Sequence, residues 1–186
     1  LGEMGIGNTA ASAAIAAAFA GLTPAQATGR GTGISDSRLK VKVEAVGRAL
    51  AVNRPDPADG LDVLAKVGGF EIGGLAGVIL ACAAHRCLAV IDGFNASAAA
   101  LIAVSLSPLA RDYLLASHLS AEPAHTRMLS LLNLDPYIDM GLRLGEATGA
   151  SLAMSLLDVS IKMLDGMSTF AEAGVSRGCQ EVAPTC

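Results

Sequence analysis

One apolar run, Cys87-Leu88-Ala89-Val90-Ile91, restricts the possible folds more than any other segment. Five consecutive apolar residues ended by Asp92-Gly93 are typical of a strand that is buried on both faces. Weaker strand signals then alternate with alanine-rich helical segments: strands at Tyr113–Ala116 and Met140–Leu144, and helices over Ala96–Leu106, Ala124–Leu132 and Ala147–Leu164. This alternation predicts an α/β fold, in which helices flank a parallel Rossmann-like sheet with right-handed crossovers.

Capping residues and helix-ending glycines predict a mainly helical first half of the chain. Asn8 or Thr9 is expected to cap the first helix, and Ser35 or Asp36 a long amphipathic one. The predicted helices run to Ala20, from Thr23 to Gly29, from Ser35 to about Val52, from Pro57 to Val67 and from Phe70 to His85. The sheet is therefore expected to be accompanied by a small helical part.

Charge and hydropathy exclude two classes of partner. The net charge is −4 and no run of Lys or Arg occurs, which argues against a nucleic acid. The long apolar stretches Ala10–Leu22 and Ala98–Ala110 have 13 residues each, whereas a membrane-spanning helix needs about 20. The four cysteines form no CxxC pair, so we expect buried thiols in a cytoplasmic protein rather than disulfides.

A separate prediction applies to each end of the chain. The 186 residues begin with Leu1, in what is predicted to be the end of a strand that leads into a helix. No signal peptide is predicted there, and we expect a fragment that lacks the earlier strands of the fold. Residues 1–175 are expected to form the α/β part, and the polar residues 176–186 a loosely ordered tail.

Two glycine-rich segments are candidate phosphate-binding loops: Gly5-Ile6-Gly7-Asn8-Thr9 and Gly29-Arg30-Gly31-Thr32-Gly33. Glycines let successive backbone N–H groups point at an anion, and a helix that begins nearby adds partial positive charge. Neither segment matches a complete nucleotide-binding motif, so a plain turn remains the alternative for each. Lys42, on the next predicted helix, is a candidate countercharge, although most lysines on a helix face are simply solvated.

Two carboxylates beside glycines, Glu3 and Glu146, are candidates for proton transfer. A carboxylate in an apolar pocket is a usable base near neutral pH, because burial raises its pKa. Favourable interaction with a helix N-terminus, worth roughly 0.3–1 kcal/mol, is the alternative. The carboxyl ends of the predicted strands carry Asp92-Gly93, Ser117-His118 and Gly145-Glu146. Ligands bind at such ends, so one shared site is predicted there.

Two other chemistries find little support in the sequence. No G-x-S-x-G elbow accompanies Ser117 and His118, so a serine hydrolase is not indicated. A metal held by His118, Glu122 and His125 is disfavoured, because Pro123 interrupts the segment and its spacing matches no known ligand pattern. A metal site is therefore not expected.

The ordered motifs together resemble one known family, nicotinate-nucleotide–dimethylbenzimidazole phosphoribosyltransferase, which makes the lower ligand of cobalamin. The resemblance covers nearly the whole chain. It is carried by Gly2-Glu3-Met4-Gly5-Ile6-Gly7-Asn8-Thr9, Gly29-Arg30-Gly31-Thr32-Gly33, Gly68-Gly69-Phe70-Glu71-Ile72, Asp92-Gly93-Phe94, Arg111-Asp112-Tyr113, His118-Leu119-Ser120-Ala121-Glu122-Pro123, Leu142-Arg143-Leu144-Gly145-Glu146 and Thr169-Phe170-Ala171-Glu172-Ala173-Gly174-Val175.

The resemblance implies transfer of a phosphoribosyl group from nicotinate mononucleotide to 5,6-dimethylbenzimidazole by a cytoplasmic homodimer without a cofactor. It implies Glu146 as the general base and places Glu3 near the positive charge that develops on the ribose. The nucleotide phosphate would meet Gly5, Gly31, Gly33 and Lys42. The resemblance further implies residues around the two bases: Ser120, Leu144 and Gly145.

The sequence departs from the family at three places. The family's chain is roughly twice as long, residues 176–186 match no family pattern, and Asn95 stands where an apolar residue is expected after Asp92-Gly93-Phe94. Two alternatives therefore stay open. One is a nucleotide-binding domain without catalysis, and the other is phosphoribosyl transfer to a different base.

Overall fold

Four short strands form the parallel sheet in a computed structural model that describes residues 1–175. The strands are β1 (Ala89–Ile91), β2 (Leu114–Ala116), β3 (His118–Ser120) and β4 (Ile138–Leu142). β1 pairs with β2 and β3 with β4, both in parallel. Ser117 joins the two pairs, because its N–H donates to the Ile91 carbonyl at 3.0 Å and its carbonyl accepts from the Ile138 N–H at 3.1 Å. The predicted parallel α/β architecture is confirmed.

Strand β3 continues the extended segment beyond Ala116, where the sequence predicts that the strand ends, and that expectation is wrong. His118 and Ser120 break the apolar pattern by which a buried strand is recognised. The segment is extended because β4 pairs with it, with His118 opposite Ile138 and Ser120 opposite Leu142. The same pairing places β4 two residues earlier than predicted.

Eight α-helices and one 3-10 helix accompany the strands in residues 1–175. They are α1 (Thr9–Ala20), α2 (Pro24–Ala27), α3 (Asp36–Asn53), α4 (Gly60–Val67), α5 (Phe70–Ala84), α6 (Phe94–Leu106), the 3-10 helix Pro108–Tyr113, α7 (His125–Leu132) and α8 (Thr148–Gly166). Several predicted caps are present: Thr23 caps α2 in a capping box with Gln26, and the Ser35 hydroxyl caps α3. Helix α4 starts at Gly60 rather than Pro57, because the Asp59 carboxylate accepts the first free N–H groups.

Helix α6 is the centre of the core. Its residues from Phe94 to Ala103 are all buried, and it packs against α1, α4, α5 and α7. A helix that is apolar on every face has to be enclosed by other elements. Because five of these ten residues are alanine, the neighbouring helices can approach closely.

Contacts divide the chain into two compact units, one from Leu1 to Met154 and one from Ser155 onward. The first unit contains all four strands. In the second, the described residues form the end of α8 and a turn in which the Glu172 carboxylate accepts from the Thr169 N–H and hydroxyl at 2.7 and 2.9 Å. The predicted tail, residues 176–186, lies outside the described residues, together with Cys179 and Cys186.

The structure bears on two predictions, the burial of the cysteine thiols and the length of the apolar helices. Cys82 is half-buried, but Cys87 is exposed, so the predicted burial of that thiol is wrong. Cys87 lies in the turn between α5 and β1 rather than in the strand itself. Among residues 1–175, no helix combines the length and the apolar character that crossing a bilayer requires.

Candidate functional site

A cavity lies where the carboxyl ends of the strands meet. β1 is followed by Asp92-Gly93 and β4 by residues 143–145, so both segments reach the same edge of the sheet. Six of the predicted site residues line this cavity: Glu3, Gly5, Gly31, Ser120, Leu144 and Gly145. The structure therefore brings together residues from four distant parts of the chain.

A second cavity adjoins the first on the side of helix α3. Gly5, Thr9 and Gly31 line both cavities, while Lys42 lines only the second. The Lys42 Nζ donates to the Thr9 hydroxyl at 2.8 Å and to the Gly29 carbonyl at 2.9 Å. Burial lowers the pKa of Lys42, and the charge of Glu122 partly opposes that shift. The cation is thus held at the wall that the two cavities share.

The loop around Gly31 is held from the opposite side by Glu122. The Gly31 N–H donates to Glu122 Oε1 at 2.7 Å, and Gly31 has a φ of +56°, which favours glycine. A Cβ at Gly29 would lie 2.2 Å from Glu122 Oε2, so only glycine fits there. Gly33 closes the turn, its N–H donating to the Arg30 carbonyl at 3.1 Å, but it lines neither cavity.

Three donors surround the Glu3 carboxylate. Glu3 Oε2 accepts from the Gly5 N–H at 2.5 Å and from the Asn8 amide, and Oε1 accepts from the Asn95 amide at 2.8 Å. The same Asn95 amide donates to Asn8 Oδ1 at 2.9 Å. All three partners donate, so they would stabilise negative charge on the carboxylate. Glu3 is thereby fixed in place in the wall of the cavity.

Both asparagines that hold Glu3 are buried, and their roles differ from the sequence-based expectations. Asn8 occupies the position before α1, but its side chain makes no capping bond, because its Oδ1 accepts from the Asn95 amide instead of a helix N–H. The cap predicted for Asn8 is therefore wrong. Asn95 enters the sequence analysis only as a departure from the family pattern. A polar residue directly after Asp92-Gly93-Phe94 was the signal that could have placed it in the site.

Glu146 lies next to this group through its backbone. The Glu146 N–H donates to the Glu3 carbonyl at 3.0 Å, and Gly2 packs so closely that a Cβ there would lie 2.3 Å from the Ala147 nitrogen. Glu146 and Ala147 both have positive φ, at 56° and 60°. The Glu146 side chain is exposed and does not line the cavity. Residues 1–175 thus hold its backbone in place without enclosing its carboxylate.

His118 and Asp92 form a buried pair in the wall of the cavity. His118 Nδ1 lies 3.7 Å from Asp92 Oδ1, which also accepts from the Ala150 N–H at 3.0 Å. Burial lowers the pKa of His118, and the nearby charge of Asp92 partly offsets this effect. The imidazole is therefore neutral at pH 7.

His125 supports the site from behind. Its Nδ1 accepts from the Ser120 N–H at 2.8 Å, and its Nε2 lies 2.9 Å from the Ser97 hydroxyl. Burial, with a smaller effect from His118, lowers the pKa of His125 to about 3. The Phe94 ring meets the imidazole edge-on, with ring centres 6.5 Å apart. Both nitrogens are thus engaged within the protein. Among residues 1–175, no three His, Cys, Asp or Glu side chains are grouped as metal ligands.

Comparisons with known proteins agree in the kind of relative that they identify. The sequence model of a family described as "Phosphoribosyltransferase" matches residues 1–175. The chain is 57% identical over 178 residues to the nicotinate-nucleotide–dimethylbenzimidazole phosphoribosyltransferase of Desulforamulus reducens, covering 96% of this chain and 51% of the relative. It is 60% identical over 176 residues to the protein of the same name in Desulforudis audaxviator, covering 95% and 50%.

A solved structure gives the same result. CobT from Thermus thermophilus is 49% identical with a TM-score of 0.88, and the match covers 95% of this chain and 53% of that one. The chain therefore spans about half the length of the relatives and of the solved structure that it matches.

Proposed function

The chain belongs to the phosphoribosyltransferase family, and from this membership we propose that the protein transfers a 5-phosphoribosyl group from nicotinate mononucleotide to 5,6-dimethylbenzimidazole. The products are nicotinate and α-ribazole 5′-phosphate, with inversion at the anomeric carbon. The reaction would supply the lower ligand of cobalamin. Two further features are proposed with it, a homodimeric state and a cytoplasmic location.

This proposal depends on one observation: the two cavities share a wall. A nucleotide presents an anionic phosphate and an aromatic base at its two ends, joined by a ribose. The cavity beside Lys42 offers a cation, which suits the phosphate. The cavity at the strand ends offers Ser120 and Leu144 for the bases, and the Glu3 carboxylate lines the same cavity. Gly31 lines both, as one ligand that spans them requires.

The proposed reaction breaks one C–N bond and forms another. The bond between the ribose C1′ and the pyridinium nitrogen breaks, and its electron pair stays on nicotinate as a neutral ring nitrogen. A benzimidazole nitrogen attacks C1′ while the proton on the other ring nitrogen passes to the Glu146 carboxylate. The Glu3 carboxylate, held by Asn95, stabilises the positive charge that develops on the ribose. The leaving group needs no acid, so one base is sufficient.

The test is an assay for α-ribazole 5′-phosphate with the full-length gene product that carries this sequence. We expect Glu146→Gln to lower turnover at least about a hundredfold, the usual effect of losing a general base. Glu44→Gln serves as the control, because Glu44 is an exposed carboxylate on α3 that lines neither cavity. Near-normal turnover in the Glu146 variant would remove that residue from the role.

The two alternatives give different results in the same experiment. Calorimetric binding of nicotinate mononucleotide without any product would favour a domain that binds the nucleotide but has no activity. Product formed with another benzimidazole or purine, but not with 5,6-dimethylbenzimidazole, would favour a different acceptor base.

A further inference from the structure

Nδ1 of His118 makes a hydrogen bond within the protein. The direction of that bond indicates which ring nitrogen carries the imidazole proton. The Ser117 hydroxyl donates to the Asp92 carbonyl at 3.0 Å, which uses its only proton. Ser117 Oγ also lies 2.9 Å from His118 Nδ1, so in that contact the hydroxyl oxygen must accept. Nδ1 therefore carries the imidazole proton. The Asp92 carboxylate, 3.7 Å from Nδ1, favours the same arrangement.

The other ring nitrogen, Nε2, is consequently a bare acceptor. His118 is neutral, so with Nδ1 protonated Nε2 has only its lone pair. No hydrogen bond joins Nε2 to another group among residues 1–175. Asp92 lies on the Nδ1 side of the ring, and the ring centre of His125 is 6.4 Å away. Neither donates to Nε2, because both nitrogens of His125 are engaged by Ser97 and Ser120.

The surroundings of Nε2 are open towards the cavity at the strand ends. His118 and Gly93 both line that cavity, and a Cβ built on Gly93 would lie 3.1 Å from Nε2. On the opposite side, a Cβ on Gly149 would lie 1.9 Å from Nδ1. Gly149 thus allows the backbone to pack tightly against the Nδ1 side of the ring. Gly93 places only its Cα hydrogen, and no side chain, beside Nε2.

We propose that His118 Nε2 accepts a hydrogen bond from an O–H group of the substrate in this cavity. The proposal rests on the proposed function, in which the one N–H of the acceptor base gives its proton to Glu146, so the ribose hydroxyls are the groups that can donate to His118. In this tautomer His118 cannot donate to a carboxylate. It therefore selects for ligands with a donor at this place and adds to the specificity that the backbone and Glu3 provide.

Three variants test the proposal by calorimetry with nicotinate mononucleotide and, separately, with 5,6-dimethylbenzimidazole. His118→Asn can still donate to Ser117 but does not reach the cavity, and we expect about tenfold weaker binding of one ligand. His118→Gln extends an amide oxygen towards the place of Nε2 and should restore part of the loss. Gly93→Ala leaves His118 intact but sets a methyl group beside Nε2, and it should weaken the same ligand. Thermal unfolding of each variant identifies any that does not fold, and the remaining variants then decide.

Analogues that lack the donor identify its source and separate binding from a structural effect. If the donor is a ribose hydroxyl, the loss in His118→Asn disappears with the 2′- or the 3′-deoxynucleotide. A loss that disappears instead with the N-methylated base would place the base N–H at His118 and would overturn the proposal. Equal losses with natural ligands and all three analogues, or unchanged binding in all variants, would overturn the proposal. A wild-type protein that binds neither natural ligand would overturn the proposed function and this inference with it.

Discussion

Lowering the pH from 7 to 5 should destabilise the protein through His125 by an amount that can be calculated. The His125 imidazole is fully buried, and its pKa in the folded protein is about 3, against an ordinary value of 6.5. Because the folded pKa lies below the unfolded one, the unfolded chain binds the proton more strongly between these two values. Stability is therefore complete above pH 6.5 and falls as the pH decreases towards 3.

The size of the effect follows from how much of the pH range between the two pKa values of His125 is crossed. We call this part of the range the window. Between pH 6.5 and 5 the window is about 1.5 pH units, and each unit corresponds to about 1.4 kcal/mol, so His125 alone lowers the free energy of unfolding by about 2 kcal/mol. With a urea dependence of about 2 kcal/mol per molar, the unfolding midpoint shifts by about 1 M. The lowered pKa of His118 acts in the same direction, so the wild type is expected to lose more than this amount.

The His125→Asn variant isolates the contribution of His125. The Asn side chain does not titrate, and its carbonyl oxygen can accept the Ser120 N–H that His125 Nδ1 accepts in the wild type. The variant loses the contact with Ser97 at every pH, so its stability at pH 7 is not the readout. Urea unfolding of both proteins at pH 7, 6 and 5 should show a shallower pH dependence in the variant, by about 2 kcal/mol over the range. Parallel profiles would refute the reasoning.

Two substitutions, each with a matched control, test other parts of the structure. Lys42→Met keeps the length of the side chain but removes the cation, and calorimetry should show nicotinate mononucleotide binding about 10- to 100-fold more weakly. Lys40→Met, at an exposed position of α3, should leave that affinity unchanged. Gly149→Ala places a methyl group 1.9 Å from His118 Nδ1 and should lower the free energy of unfolding in urea by about 1–3 kcal/mol. Gly74→Ala, at an open position of α5, should instead raise it by about 0.5–1 kcal/mol. A Gly149 variant as stable as the wild type would contradict the tight packing described for His118.

Local sequence signals located most of the elements and much of the site. Caps and apolar runs depend on residues a few positions apart, so Thr23 and Ser35 marked helix starts that the structure contains. The same local patterns indicate Lys42 and Gly31 as candidates for phosphate binding, and both residues line the second cavity. Strand β3 was missed because its extended conformation depends on pairing with β4, which local pattern does not report.

The sequence by itself determined an α/β fold, two glycine loops and the positions where strands end, because these follow from periodicity and backbone preference. Only the tertiary structure decided which side chains meet at those ends. Asn95 holds Glu3 across 92 positions of the chain, and Ser117 connects the two strand pairs by backbone bonds to segments on either side. It also decided that Glu146 is anchored by its backbone with its carboxylate exposed, and that His118 carries its proton on Nδ1. Such contacts depend on distances in space, which composition and spacing along the chain do not contain.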